Sequence, residues 1–558
     1  MVRLSTTMIA LAAGTFAAAS AAGPHFYSDD PLMREPETQD ARAAQPSDVG
    51  LMYDLGYQLF VTAGSKPKPV PAGNVNTIDE VPDSSWFTNR ILPGPLSPAS
   101  LARGPNAGEP PDPERWVVVR PKTAGYSPGF TARDANGETW FLTFDAPDNP
   151  EGGSAAIAIA NKIFWALGYN QIDTYITRVD PAHLTIDPDA TMRRPNGKKT
   201  RMTRDDLNAV LERSARSADG TYRAAAGRML SGKVLGPFRY DGTRPDDPND
   251  IVPHEDRREL RALRVFGAWT NLTDLKAGNT LDALVESDGR SIVRHYLQDV
   301  GSTFGIGANG PHDWNEGFEY FYEGDTTLRR LASFGFALRP WQTADYTIYP
   351  AVGRFESDAF DPETWRPHAP TSAYMRMQPD DAFWAARRLA AFDDDAIRTV
   401  VHEGKFSDAA AEQHLAAVLI ARRDKILRAY LPAVNPLVNA RLSDEGRLTF
   451  DNAAVMANVA SPPVRYRVRW FQFDNDSGAR KPLGETYDAP EALAGPPRIP
   501  SASGTIIEAD VTADDRSPEA WQRPVRFYFR RGAGGWTLVG LEREEQGGPQ
   551  TSATHEQR

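Results

Sequence analysis

A carboxylate, a cation and an amide stand close together in the run Leu272-Thr273-Asp274-Leu275-Lys276-Ala277-Gly278-Asn279, and a second carboxylate follows in Asp299-Val300-Gly301. Phosphoryl transfer needs such a set: a carboxylate to accept the proton of an attacking hydroxyl, a cation beside the phosphate, and an Asn and an Asp to hold a divalent metal. Asp274 and Lys276 suit the first two roles, as catalytic base and neighbouring charge; Asn279 and Asp299 suit the third. Taken alone, an Asp-x-Gly marks a turn more often than a metal site. Order and interval lift this run above that ordinary meaning. Residues 283–297 alternate apolar and polar around Ser287-Asp288-Gly289-Arg290, which predicts two strands joined by a tight turn. Such a hairpin returns Asp299 to the end that carries Asp274.

Elements upstream must supply the other wall of a site. Strand patterns cover 116–120, 130–133 and 138–144, with Asp134-Ala135-Asn136-Gly137 as a turn, and Ser154 is placed to cap a helix that ends before Gly168. Lys122 is the one Lys between 116 and 150, at the head of the loop that carries Gly125 and Gly129. The loop also reads Gly125-Tyr126-Ser127-Pro128-Gly129, the G-x-S-x-G of a hydrolase elbow. That elbow must lead into a helix and needs an N–H after the Ser, whereas 130–133 reads as a strand and Pro128 has no N–H. As a tight loop, the same stretch is expected to need positive φ at Gly125 and Gly129.

From 203 to 434 the apolar spacing is helical, notably over 205–215, 255–269, 379–391, 393–402 and 407–430. Beyond 435 it turns to strands at 441–450, 464–473, 505–511, 525–530 and 536–542, the pattern of a separate antiparallel sandwich. Phe383, Trp384 and Leu389 fall at core spacing. Arg257, Arg258 and Arg261, like Arg422 and Arg423, are expected on solvated or salt-bridged helix faces. His295, His312 and Asp313 lie near Asp299 in sequence and offer a further ligand or base, with a satisfied structural role the default for each His.

A chain of 558 residues is too long for one core, and a net charge of −12 argues against a nucleic-acid partner. Cys is absent, which excludes disulfides, thiolate metal sites and a Cys nucleophile. Residues 1–22 have a basic start, an apolar run at 8–19 and the small residues Ala19-Ser20-Ala21-Ala22, the form of a cleaved export signal. A periplasmic or secreted location follows as an expectation. With the signal removed no stretch is long and apolar enough to span a membrane. Residues 23–110 read as an extended strap anchored by Trp86 and Phe87. The expected order is signal 1–22, strap 23–110, β-rich lobe 111–180, helical lobe 181–434, sandwich 435–545 and tail 546–558: an α+β chain.

A small β lobe, a larger helical lobe and the two motifs together resemble the protein-kinase-like fold over roughly 116–430. The chain is most similar to its atypical branch, HipA-type and phosphatidylinositol-kinase-like. It also resembles a group of exported bacterial proteins of unassigned function that share Gly236-Pro237-Phe238-Arg239-Tyr240, Asp246-Asp247-Pro248-Asn249-Asp250 and Arg257-Arg258-Glu259-Leu260-Arg261. The resemblance implies a bilobal kinase-like domain with a cleft for ATP and Mg²⁺ or Mn²⁺, Asp274 as base, Asn279 and Asp299 as metal ligands, and Lys122, Gly125 and Gly129 at the phosphates. It also implies a Lys on the third strand paired with a Glu on the next helix. Here Thr143 takes the first slot, Ile157 stands near the second, and no carboxylate occurs between Glu151 and Asp173. Two functions stay open: an exported, weak or atypical phosphotransferase acting on an unidentified hydroxyl substrate, and a non-catalytic pseudokinase scaffold that binds an envelope or extracellular protein partner.

Overall fold

The computed structural model describes residues 23–61, 68–91, 94–122, 127–307, 309–322, 328, 331–333, 339–347, 349–488, 493–495 and 499–544. The expected signal at 1–22, the tail at 546–558 and Gly125 lie outside the described residues.

The N-terminal segment runs across the later domains, with two helices, α1 (Leu51–Val61) and α2 (Pro98–Arg103). Its two aromatic anchors are buried. Trp86 stacks face to face on His295 at 3.5 Å and lies under the Arg257 guanidinium at 4.8 Å. Phe87 packs edge-on to Tyr169, and its ring fits where Gly168 has no side chain. Earlier in the segment Phe26 joins Phe473 and Tyr528 in a small cluster, so the strap reaches the C-terminal sheets as well.

Three expected strands form: β1 (Trp116–Pro121), β2 (Gly129–Arg133) and β3 (Thr139–Phe144), each antiparallel to its sequence neighbour. Next comes α3 (Gly152–Leu167). Ser154 does not start that helix. Glu151, left-handed at φ 71°, is the cap residue, and Asp145 at the end of β3 accepts bonds from the Ser154 N–H at 2.6 Å and hydroxyl at 2.8 Å. A buried carboxylate from the strand thus fixes the angle at which α3 leaves the sheet. Gly168 ends α3 as expected, at φ 120°.

The β-rich part extends past the boundary expected at 180. After β4 (Thr174–Val179), β5 (Leu184–Ile186), a hairpin of β6 (Thr191–Arg193) and β7 (Lys199–Arg201), and α4 (Arg204–Leu211), the chain returns as β8 (Tyr222–Arg228). The six-stranded order is β4-β8-β3-β2-β1-β5, so β8 sits between β3 and β4. Its Ala224, Ala225 and Ala226 are buried and small enough for helices to lie close on both faces. On one face Leu207 and Leu211 of α4 cover Trp116, Phe130 and Trp140; α3 packs on the sheet's other side.

The helical part is built on α5 (Arg258–Thr270), α6 (Pro379–Ala390), α7 (Asp394–His402) and α8 (Ala409–Tyr430), close to the predicted spans. Between α4 and α6 lie β9 (Lys233–Gly236), β10 (Thr280–Ser287) and β11 (Arg290–Leu297) in one sheet of order β11-β10-β9. Phe383, Trp384 and Leu389 are in the core, as their spacing predicts. The arginines are not solvated. Arg257, Arg258, Arg261 and Arg422 are at most 4% exposed. Arg257 meets Glu35 at 3.1 Å, Arg258 meets Asp381 at 3.0 Å, and Arg261 meets Asp381 at 3.1 Å and Asp256 at 2.7 Å. Asp79 of the strap joins this group through Arg258. A buried charge must be paired, and the strap supplies partners that helix periodicity cannot reveal.

Beyond Asn435 two antiparallel sheets form, one of three strands and one of five. Predicted strand 441–450 is a hairpin instead, Leu437–Leu442 with Arg447–Asn452, turning at Gly446. The strand Arg480–Asp488 has no buried residue, which is why its pattern passes unread. These sheets do not stand apart: Val468, Trp470 and Phe527 belong to the apolar cluster that also contains α5 and α6. Arg543 ties them further, bonding the carbonyls of Asn435 and Leu437 and pairing with Asp79.

Candidate functional site

The Asp274 loop begins where α5 stops. Asn271, left-handed at φ 55°, ends the helix, and its carboxamide oxygen accepts the Trp365 indole N–H at 2.8 Å. Leu272 and Leu275 are buried on either side of Asp274, while Asp274 and Lys276 turn to partial exposure. A short turn, Ala277–Asn279, then feeds β10.

The hairpin forms over its whole length, from Thr280 opposite Leu297 to Ser287 opposite Arg290, with Asp288 and Gly289 at positive φ in the turn. At its open end the Asn279 carbonyl accepts the N–H of Gln298 at 2.9 Å and of Asp299 at 3.1 Å. The Asn279 side chain donates to the Asp274 carbonyl at 2.7 Å. Asp274, Asn279 and Asp299 are therefore brought to one place, with Lys276 bonded to the Asp274 carboxylate at 2.8 Å. Asp299 accepts the Gly301 N–H at 3.1 Å, which closes the Asp-Val-Gly turn.

Gly301 abuts α3. A Cβ there would lie 2.7 Å from Ile157, so the helix position that the resemblance assigns to a Glu holds an aliphatic contact with this turn. Thr143 stands on β3 without a cation. Lys122, at the end of β1, is the cation of this lobe that the sequence singles out. Burial lowers its pKa from the ordinary value, and the charge of the Asp299 carboxylate opposes the shift. Its backbone N–H donates to the Gly129 carbonyl at 3.0 Å, anchoring Lys122 to the β1–β2 ladder. Gly129 itself serves packing and not a positive φ: it lies in β2, and a Cβ there would come within 2.2 Å of the Leu142 carbonyl oxygen.

Two residues that no local motif marks complete the surroundings. His368 sits 3.8 Å from Asp274 and 2.6 Å from Glu316. Burial works to raise the Asp274 carboxyl, but His368, Lys276 and Asn279 outweigh it and hold it well below the ordinary carboxylate range. His312 is also close, bonded to Ser302 at 3.0 Å, while Asp313 contributes a backbone N–H to Glu316. His295 lies apart from this group, bonded to Asp282 at 2.7 Å under Trp86, in the structural role expected of it.

The donor set suits a hard cation. One oxygen of Asp299 and the carboxamide oxygen of Asn279 have no hydrogen-bond partner among the described residues. No group of three or more His, Asp or Glu that could hold a metal occurs among the described residues. A cation at Asp299 and Asn279 would thus draw the rest of its shell from phosphate oxygens and water, the habit of Mg²⁺. A cavity of about 740 Å³ lies elsewhere, lined by Asp145, Ile176, Arg223, Tyr349 and Ala411, and contains none of these residues.

No protein-family model matches the chain, and no curated protein matches it. Solved structures similar to it include the Golgi casein kinase, at 10% identity and a TM-score of 0.29, covering 72% of this chain and 94% of that one. A second structure of the Golgi casein kinase, with Mn and ADP bound, gives 9% identity and a TM-score of 0.30 over the same shares. At that overlap neither the fold class nor the chemistry of this chain follows from the likeness. Among the described residues no helix is long and apolar enough to cross a membrane.

Proposed function

We propose that this chain is an exported, atypical kinase-like phosphotransferase, with a β-rich lobe and a helical lobe around a nucleotide and metal cleft and a C-terminal sandwich beside them. One observation carries the reading: the base of the β10–β11 hairpin joins Asp274, Asn279 and Asp299 by direct hydrogen bonds, while Lys122, anchored at the end of the β1–β2 ladder, feels the Asp299 charge. Asn279 and Asp299 would hold Mg²⁺ or Mn²⁺, which neutralises phosphate charge when bound. Lys122 would replace the missing strand Lys at the phosphates, and Lys276 would stand beside the transferred group. Asp274, held ionised, orients and accepts the proton of the substrate hydroxyl. Removing one fixed charge from a reacting group costs on the order of 10²-fold to 10³-fold in rate, so exchanging an ion pair for a single Lys fits a slow enzyme.

The test is a thermal shift of the protein with ADP or ATP and Mg²⁺ or Mn²⁺, compared with Asp299→Ala. Ligand at 100 times its Kd stabilises by about 2.7 kcal/mol. A shift in the parent that Asp299→Ala abolishes supports the reading; no shift in any combination refutes it. The second reading, a pseudokinase scaffold, draws on Ile157 at Gly301, where the usual ion pair has no acid, and it is what the second outcome would leave.

A further inference from the structure

Leu272 fills the position at which kinase catalytic loops carry a His, and a His reaches the loop from another part of the chain. The His368 backbone N–H donates to the Thr273 carbonyl at 2.8 Å, which docks the segment on the loop. Its imidazole lies with Nδ1 3.8 Å from Asp274 Oδ1 and Nε2 2.6 Å from Glu316 Oε2. Phe321 stacks on the ring at 4.2 Å and 17° and donates its own N–H to the His368 carbonyl at 2.8 Å. Glu316 is fixed in turn: Oε2 accepts the Thr273 hydroxyl at 2.8 Å, Oε1 accepts the Asp313 N–H at 2.9 Å, and His312 stands 3.6 Å away. The other His312 nitrogen meets the Ser302 hydroxyl at 3.0 Å, one residue beyond Asp299-Val300-Gly301.

We propose that His368 is a positioning residue for Asp274, itself held in place by Glu316 and by its backbone bond to Thr273. The proposal rests on the phosphotransferase reading for its purpose, though its geometry does not depend on that reading. Asp274 has a cation beside each oxygen: Lys276 bonds Oδ2 at 2.8 Å, and the His368 ring stands 3.8 Å from Oδ1 at ion-pair distance. The direction of the carboxylate is then set by groups outside its own loop. A hydroxyl substrate would meet it already aimed, and in a reaction that is mostly positioning this matters more than basicity.

The charged and titratable groups facing His368 are Asp274, Glu316, His312 and, through Asp274, Lys276. Burial lowers the His368 pKa, but the Asp274 and Glu316 carboxylates beside the ring outweigh it and raise the imidazole to about 9. Glu316 is pushed the other way, down to about 2, because His368 and His312 offset its burial. Burial takes His312 down to about 4, so it stays neutral between Glu316 and Ser302. One imidazolium between two carboxylates is the arrangement in which position and charge enforce each other.

Two measurements on the full chain decide the matter. With ¹⁵N-His labelling, the resonance that disappears in His368→Asn is followed against pH in the parent, Asp274→Asn and Glu316→Gln. The expected result is a parent titration at about 9, against the ordinary value of ~6.5, that falls by about one unit or more in each variant. A titration near ~6.5 that ignores Asp274→Asn overturns the proposal. In the second, His368→Asn is expected to keep the full ADP–Mn²⁺ thermal shift while ATP turnover falls about 10²-fold. Turnover equal to the parent's overturns the positioning role. A parent that shows no ADP–Mn²⁺ shift refutes the phosphotransferase reading instead, and the titration alone then decides whether His368 orients Asp274.

Discussion

Replacing Lys122 with Ala tests the assignment on which nucleotide chemistry here most depends. The side chain stands at the end of β1, its stem against Gly129, and the Asp299 charge acts on its ammonium. The backbone bond from Lys122 to Gly129 does not involve the side chain, so the ladder survives the substitution. Asp299 is exposed and remains solvated when its counter-charge goes, so the unliganded protein should lose less than about 1 kcal/mol. The liganded protein should lose far more. If the ammonium contributes about 10²-fold to binding, as a preorganised charge on phosphate can, a nucleotide concentration of 100 times the parent Kd becomes one equal to the variant's Kd. Stabilisation then falls from about 2.7 kcal/mol to RT ln 2, about 0.4 kcal/mol. The assay is the thermal shift with ADP and Mn²⁺ over a concentration series, with Lys122→Arg as the charge-keeping control. A Lys122→Ala protein that keeps the parent's full shift would refute the view that Lys122 replaces the strand Lys.

Three further outcomes follow from the packing and charges. Trp86→Ala removes a ring that contacts His295, Arg257 and Phe238, and should destabilise by about 3–5 kcal/mol in urea unfolding; a loss below about 1 kcal/mol would show that the strap is not anchored there. Gly129→Ala drives a methyl into the Leu142 carbonyl and should cost about 3 kcal/mol or more, seen as a lowered Tm or loss of soluble protein. With pH, the raised His368 contributes stability that is fully present below its unfolded pKa of ~6.5 and is lost as pH climbs through about 9, on the order of 3 kcal/mol. His312 acts oppositely, supporting the fold above ~6.5 and withdrawing that support as pH falls toward about 4. His368→Gln should therefore flatten the alkaline decline of the urea midpoint and leave the acid side in place.

The sequence alone determined what depends on near neighbours. Alternation around Ser287-Asp288-Gly289-Arg290 specified a hairpin, and a hairpin with paired ends must return Asp299 to Asn279, because register follows from the turn. Helix spacing located α5 to α8 within a few residues, and the aromatic pair Trp86-Phe87 signalled the buried anchors of a strap. Only the tertiary structure decided what depends on distant partners. Arg257, Arg258 and Arg261 have the spacing of a solvated or salt-bridged face; they are salt-bridged, but buried, because Glu35, Asp79 and Asp381 come to them from segments far along the chain. Gly129 was legible as a glycine with a task, but the task, clearance for a neighbouring carbonyl, exists only once β2 and β3 pair. The same holds for β8 between β3 and β4, and for His368 and Glu316 beside Asp274. Periodicity reports which face of an element is apolar; it carries no record of which remote segment will cover a charge, and that record is where the surroundings of Asp274 were written.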